Sequence, residues 1–455
     1  MEGELSMAVW NIVNRTDFRS HSNIMAEHYQ LERIQADEFL KSISKYRIRD
    51  LFKEVIQIVS PLKLGNGWNV YDLSDGISNF LTTEHHYTKA SSGKKVAVEN
   101  DFVISRLRSY LKEMAVVPKC NYKMAFSTEY LVYRPKQSIS ASILLPFSLS
   151  SYVQSILKWA QMGNEHPRFS SETFGDIFIP DSLVKNSNEI STLVVEAIEF
   201  QKQSQTLYHQ AETLLVQELQ LDQLQLPNKK WYTADYCEVL KERRMNAEFF
   251  SPDVYYILSQ GFLKEAVTIN DVFEIKRGYT PKCYYQSGVP VVKTKNVRTP
   301  NVDDKRISDY ADPKEPLTHT KENDLILAAM GVGSLGRMSF VTDKETNCAI
   351  DGTLRILRKK DLSLNDIEIP TMLFLSTEVG QKLIYRGISG TTGIISLPDD
   401  YLGRIPIPVF EKSVCRRVTG LVLNSIKAKN QSEQLLAQAK LRVEELIEQG
   451  SDKCK

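Results

Sequence analysis

The sequence repeats itself once, in order, over almost its whole length. Ala26 and Glu27 of MAEHYQ fall on Ala247 and Glu248 of NAEFFS, a step of 221. IRDLF (48–52) falls on INDVF (269–273), and WNVYDL (68–73) on VPVVKT (289–294), both again at 221. ENDFVIS (99–105) falls on ENDLILA (322–328) at 223. TEYLVYRPK, with Arg134, falls on GTLRILRKK, with Arg358, at 224, and FGDIFIP, ending at Pro180, on LGRIPIP, ending at Pro408, at 228. The offset rises and never falls back. Chance similarities scatter; a duplication with small loop insertions drifts in one direction.

Each half has one anatomy. An acidic-aromatic entry (AEHY, AEFF) leads to a short amphipathic segment and then to short β-rich runs. These are VAVENDFVIS and YLVYRP in the first half, and VPVVK, DLILAAM, GRMSFVTD and TLRILRK in the second. A helix follows (SSYVQSILKWAQM; TMLFLSTEVGQKLIY), then a proline-ended turn element, DIFIP or RIPIP. Each half closes on a long helix. Ile190, Leu193, Val194, Ala197, Ile198, Leu207, Tyr208, Ala211, Leu214 and Leu215 recur at three- and four-residue steps on one stripe. Val414, Val418, Leu421, Val422, Ile426, Leu435, Leu436, Ala439, Val443, Leu446 and Ile447 form a second. Neither stripe is stable in water alone, so the two are expected to bury each other. The expected fold class is α+β: two pseudo-repeated domains joined by two long helices. The bounds are a lead-in at 1–24, a first domain at 25–185, a long helix at 186–222, a linker at 223–244, a second domain at 245–410 and a second long helix at 411–450.

A chain of 455 residues exceeds what one core organises and suggests two or three domains. The net charge of +1 excludes no partner, because a nucleic-acid binder can gather its basic residues on one face. No apolar run is long enough to span a bilayer, and MEGELSMAVWNIVNRTDF lacks a signal-peptide pattern. The six cysteines are far apart with no CxxC pair, which points to free thiols in a reducing cytoplasm and away from zinc or disulfides. GVGSLG (331–336) fits GxGxxG, and Asp351 lies twenty residues beyond Gly331. A dinucleotide site needs a helix opening at the third glycine, but the chain continues as an alternating strand, RMSFVTD, so the glycines read as a loop between strands. Neighbouring His85 and His86 point apart in most backbones and make a poor metal site. Asp101 and Asp324, each just before a strand, read as turn or capping residues. No metal-ligand spacing, phosphate loop or nucleophile elbow occurs, and no catalytic residue is assigned.

The remaining signal is basic and aromatic. Residues 276–306 hold Lys276, Arg277, Lys282, Lys293, Lys295, Arg298, Lys305 and Arg306, interleaved with Tyr279, Tyr284 and Tyr285. Gly278, Pro281 and Pro300 mark surface loops there, and Asp303 and Asp304 are the only acids in the run. The first half has a weaker equivalent: Lys89, Lys94 and Lys95 in the loop HHYTKASSGKK, then Arg106, Arg108 and Lys112. Such stretches neutralise phosphates and present side chains to base edges. The expected DNA-binding set is Lys276, Arg277, Tyr279, Lys282, Lys293, Lys295 and Arg298, with Lys89, Lys94, Lys95, Arg106 and Arg108.

In this order and duplication the chain resembles the specificity (DNA-recognition) subunit of type I restriction-modification systems. The resemblance rests on KRGYTPKCYYQSGVPVVKTKNV, ENDLILA, SGTTGIISLPDDYLGRIPIP and SEQLLAQAKLRVEELIEQ in the second half. The first half adds ENDFVISRLR, RFSSETFGDIFIP and SQTLYHQAETLLVQEL, but has IVSPLKLGNG where the second has GYTPK. The resemblance implies two target recognition domains, each followed by a long spacer helix, the two helices packed antiparallel in a coiled-coil-like pair. It implies a subunit without catalysis or cofactor of its own that reads a split sequence in double-stranded DNA. It also implies two methyltransferase subunits as partners, and restriction–translocation subunits in the full enzyme, which use S-adenosylmethionine and ATP. Other readings stay open: a recognition subunit of a type IIB or phage-defence modification system, a nucleotide-binding enzyme using GVGSLG, or a coiled-coil scaffold.

Stripes of about 30 residues give rods of about 45 Å, enough to set two readers roughly one duplex turn apart. Helix length would then be the ruler for the unread spacer. Four residues inserted within 198–210, about 6 Å of helix, should lengthen the preferred spacer by about one or two base pairs. A selection that returns the original spacer with binding intact would sink the idea.

Overall fold

The computed structural model describes residues 25–227, 229, 231–361, 366–390 and 395–452. The expected lead-in at 1–24 lies outside the described residues, as do Asn228 and Lys230 of the linker and residues 391–394 of the SGTTGIIS run. The chain forms two compact units, one of residues up to Gln205 with those from Ala428 onward, the other of Thr206–Lys427. The long helices are Ser187–Glu218 and Lys412–Asp452. The division falls inside both, so neither stands as a separate segment: each gives one part to each unit.

In the first unit an antiparallel sheet has the order Phe52–Glu54, Tyr130–Pro135, Phe102–Ser105, Met114–Val116. Its strand Phe102–Ser105 is buried along its whole length, which explains the unbroken apolar run FVI. Side chains alternate across a strand, so such a run must be covered on both faces. Phe102 and Ile104 join one core with the helical residues Leu144, Val153 and Ile156. Val103 joins another, with Tyr71, Ala97 and Phe126 of a second sheet. That sheet runs Ile58–Val59, Lys94–Ala97, Lys123–Phe126, Trp68–Tyr71, its last pair parallel. A two-stranded ribbon, Tyr46–Arg47 with Phe178–Ile179, ties the start of the unit to the turn before the long helix.

The second unit repeats this plan. Its antiparallel sheet has the order Phe273–Arg277, Leu354–Lys359, Leu325–Ala328, Met338–Phe340. Leu325 and Leu327 face one core, Ile326 and Ala328 the other. Val289–Val292 pairs in parallel with Ala349–Ile350, and Val267–Thr268 pairs with Pro406–Ile407 as the matching ribbon. The registers agree as well as the order: Phe102 lies opposite Tyr133 and Leu325 opposite Leu357. The helix expected over SSYVQSILKWAQM is present as Ser151–Trp159, preceded by a further short helix, whereas the single helix expected over TMLFLSTEVGQKLIY is two. Extended Ser150 divides Leu144–Leu149 from Ser151–Trp159, and extended Thr377 divides Glu368–Ser376 from Glu378–Arg386. The Ser150 and Thr377 hydroxyls accept from the Val153 and Gly380 N–H groups, so each break is also an N-cap.

One polar feature is duplicated to the atom. Asn100 and Asn323 take left-handed conformations, with φ of 66° and 69°, which asparagine tolerates. The next residues, Asp101 and Asp324, are 0% and 2% exposed. Asp101 accepts the Val98 N–H at 2.8 Å and two guanidinium bonds from Arg134 at 2.8 and 2.7 Å. Asp324 accepts the Lys321 N–H at 2.7 Å and two from Arg358 at 2.8 and 2.6 Å. The turn role expected for these aspartates is present, and with it a bidentate clamp across neighbouring strands.

Small residues recur along both long helices at seven-residue steps: Ala197, Ser204 and Ala211 on one, Ser425, Ser432 and Ala439 on the other. All are buried. In the first unit Ser432 donates its hydroxyl to the Ala197 carbonyl at 2.6 Å, and Arg442 pairs with Glu189 at 2.8 Å. One helix number rises as the other falls, so the helices run antiparallel there. A side chain as short as serine reaches a backbone carbonyl only where the axes are close.

Replacing Arg134 with Ala would leave Asp101 buried and unpaired, at a cost of about 3–5 kcal/mol. Adding Asp101→Asn to that variant should restore part of the loss. Urea unfolding followed by tyrosine and tryptophan fluorescence would measure both; a loss below about 1 kcal/mol would contradict a stabilising clamp.

Candidate nucleic-acid interface

The GYTPK turn of the second unit is held against its sheet. Gly278 donates its N–H to Leu354 O at 3.1 Å and Tyr279 to Ile350 O at 3.0 Å. A Cβ on Gly278 would stand 2.0 Å from the Asp351 carbonyl oxygen, so only glycine fits this approach. Beyond the turn, Lys282 is exposed and donates its backbone N–H to Glu315 at 3.1 Å. The Tyr279 phenol is pushed up by burial and by Glu315. Lys293 lies 3.3 Å above the Tyr284 ring centroid and 3.1 Å from Asp309. Lys295 reaches the other Asp309 oxygen at 2.9 Å, and these two lysines, Lys295 first, hold that carboxyl below its usual range. Tyr284 donates to Asp351 at 2.8 Å.

Tyr279, Lys282, Lys293 and Lys295 are thus gathered with Tyr284 around Glu315, Asp309 and Asp351. Lys276 and Arg277 lie on the strand Phe273–Arg277, where Lys276 pairs with Glu274 at 2.8 Å. Arg298 lies elsewhere, beside Arg337. The acids that set these positions fall outside 276–306, so the sequence run alone looked far more basic than its surroundings are.

In the first unit the expected loop set divides. Lys89 is exposed. Lys94 and Lys95 are not in the loop: they begin the strand Lys94–Ala97 and are 8% and 9% exposed. Lys94 meets Asp72 at 2.8 Å and Lys95 meets Glu54 at 3.6 Å. Burial pulls the Lys95 ammonium down. The correction has a plain cause: lysine stems pack along a strand as apolar chains while their heads find carboxylates. Arg106 and Arg168 grip Glu129 at 3.0 and 2.8 Å and hold its carboxyl low, Arg168 the more strongly. Arg108, left-handed with φ 50°, faces the Glu165 carbonyl and His166. Arg168 was missed by sequence reasoning; its position in RFSSETFGDIFIP, beside a repeat motif, was the available signal.

GVGSLG joins the antiparallel strands Leu325–Ala328 and Met338–Phe340 as a turn with positive φ at all three glycines. His85 bonds the Asn66 carbonyl at 3.0 Å while His86 faces Asp75 at 3.4 Å, so the two diverge. Among the described residues no group of three or more His, Cys, Asp and Glu is placed to hold a metal, and no helix is long and apolar enough to cross a membrane.

No family model and no curated protein matches the sequence. Among solved structures, the chain is similar to the S subunit of a type I restriction-modification system from M. genitalium, at 10% identity and a TM-score of 0.43, over 89% of this chain and 95% of that one. It is similar to a chain from a structure of complex assembly and conformational transition of the type I R-M system, at 14% identity and 0.30, over 89% and 96%. A third is the HsdS subunit from Thermoanaerobacter tengcongensis, at 14% and 0.29, over 89% and 95%.

The hairpin ahead of Met114 carries Glu113, 6% exposed. Burial pushes its carboxyl above the ordinary glutamate value of 4.5, against the opposing pull of Ser105 and Arg108. A raised carboxyl binds its proton more tightly folded than unfolded. Ionisation therefore works against the fold at neutral pH, and the effect vanishes below pH 4.5. Glu113→Gln should raise the melting temperature at pH 7 and leave it nearly unchanged at pH 4; an equal change at both values would refute this account.

Proposed function

We propose that the chain is a non-catalytic DNA-recognition subunit of a type I restriction-modification system. It reads a bipartite sequence in double-stranded DNA and carries methyltransferase subunits, two of them by the pairing implied by its repeat, with restriction–translocation subunits added in the full enzyme. S-adenosylmethionine and ATP belong to those partners. The reading rests on the motif order described above and on the duplicated fold.

The observation that carries it is a shared scaffold under different loops. Both units keep the strand order, the ribbon and the aspartate–arginine clamp. Their polar loops differ: one presents exposed Lys282 and Lys295 with half-buried Tyr279 and Lys293, the other exposed Lys89 with half-buried Arg106 and Arg108. A duplicated scaffold keeps the mode of binding, and divergent loops change what is read. Two different readers on one chain fit an asymmetric split target. Base reading would use the loops around 276–300 and 87–112 in the major groove, with the modified base flipped into the partner's active site.

The complex with the neighbouring methyltransferase, offered a random duplex library with selection and sequencing, should return two short motifs separated by a fixed gap. One short motif would leave a single working reader. No enrichment at any salt concentration would replace this reading with that of a scaffold.

A further inference from the structure

In the second unit, Arg298 and Arg337 share a cleft of about 330 Å³. Its lining is Val297, Arg298, Thr299, Gly336, Arg337, Met338, Ser376 and Gln381, with two arginines and no acidic side chain among the described residues. The cleft is built. Arg298 is fixed by its backbone N–H, which donates to Ser339 Oγ at 2.7 Å, while Ser339 donates back to the Arg298 carbonyl at 2.5 Å. Gln381 donates to the carbonyls of Gly336 and Leu375 at 3.0 and 2.8 Å. Gly336 has a φ of +85°, and a Cβ there would stand 2.5 Å from Gln381 Oε1. Arg337 is exposed at the rim and donates from Nη2 to the Gly333 carbonyl at 2.6 Å. It is thus tied to the GVGSLG turn, which gives that motif a place the dinucleotide reading did not.

The charge balance in the cleft is one-sided. Among the described residues, Arg298 donates from Nη1 to the neighbouring Val297 carbonyl alone, at 3.3 Å. Asp303 acts on it from a distance but bonds Arg306 at 3.1 Å. Burial, then the positive charges of Arg337 and Arg306, pull the Arg298 guanidinium below its ordinary value. Lys293 and Lys295, by contrast, already share Asp309. An anion entering the cleft would meet two planar, poorly compensated guanidinium groups, the chemistry that suits phosphate oxygens.

We propose that the Arg298–Arg337 cleft is a phosphate-binding site that takes a backbone phosphate of the DNA duplex and orients the second unit on it. This rests on the reading of the chain as a DNA-recognition subunit. The site has no twin among the described residues of the first unit. Met338 matches Met114 at a step of 224, so Arg337 matches Glu113, a buried carboxyl. Phosphate affinity is therefore unequal between the units: both read, and the second also holds the backbone here.

The test uses the complex with the methyltransferase, bound to fixed-sequence duplexes and followed by fluorescence anisotropy from 50 to 200 mM salt. Arg298→Gln and Arg337→Gln should each lower the slope of log affinity against log salt by about 0.9. The gap to wild type then narrows by about three- to fourfold over that range, evenly across sequences. Arg337→Lys should keep the wild-type slope. Arg337 is exposed, so its variant decides the matter should the Arg298 variant not fold. Unchanged slope and affinity, on a wild type that binds duplex, overturn the cleft and leave the reading of the chain standing. A wild type that binds no duplex overturns that reading. The cleft is then judged with inorganic phosphate alone: thermal stabilisation of wild type that Arg337→Gln abolishes supports a site for free phosphate, and an equal response overturns it.

Discussion

A strand that is apolar on both faces has to be covered on both. Phe102–Ser105 and Leu325–Ala328 impose this on their units. One face takes the short helices and a segment of each long helix; the other takes a second small sheet. Burial at roughly 25 cal/mol per Å² of apolar surface favours this layering without direction. Directional bonds then fix the register, chiefly the clamp from Asp101 to Arg134 and from Asp324 to Arg358. A buried carboxylate without its guanidinium is costly, so the clamp limits which strands can be neighbours. The ends of those strands carry the polar loops, so the clamp also sets where those loops lie.

Scaffold and loops carry different kinds of information. Turn caps, clamp and ribbon recur with nearly constant spacing because each solves a backbone problem that duplication copied. Loops solve no such problem, and the two sets have diverged in length and charge. The position of Arg337 against Glu113 shows how far that divergence goes: one site in the repeat holds an exposed cation in one unit and a buried acid in the other. Two surfaces of unequal electrostatic strength follow from one inherited frame.

Charge along the sequence was a poor guide to charge in space. The run 276–306 contains two acids, yet Glu274, Asp309, Glu315 and Asp351 all meet its side chains. Lys94 and Lys95 look like loop residues in GKK and are interior residues of a strand, each facing a carboxylate. A lone lysine gives no sign of its partner, because a distant carboxylate costs nothing in the sequence and decides everything in the fold.

By itself, the sequence determined the duplication, the α+β class, the two long helices and the loop character of GVGSLG. All of these rest on local periodicity and on motif order, which survive loop insertions. It also identified Asp101 and Asp324 as turn residues, since an aspartate just before an apolar run has few other uses. Only the tertiary structure decided that these aspartates clamp arginines and that Arg168 and Arg337 join the charged surfaces. Each of those depends on residues far apart in the chain coming together, as Glu129 pairs with Arg168 and as Arg298 and Arg337 line one cleft. No spacing rule encodes such contacts, because packing rather than sequence distance brings the partners together.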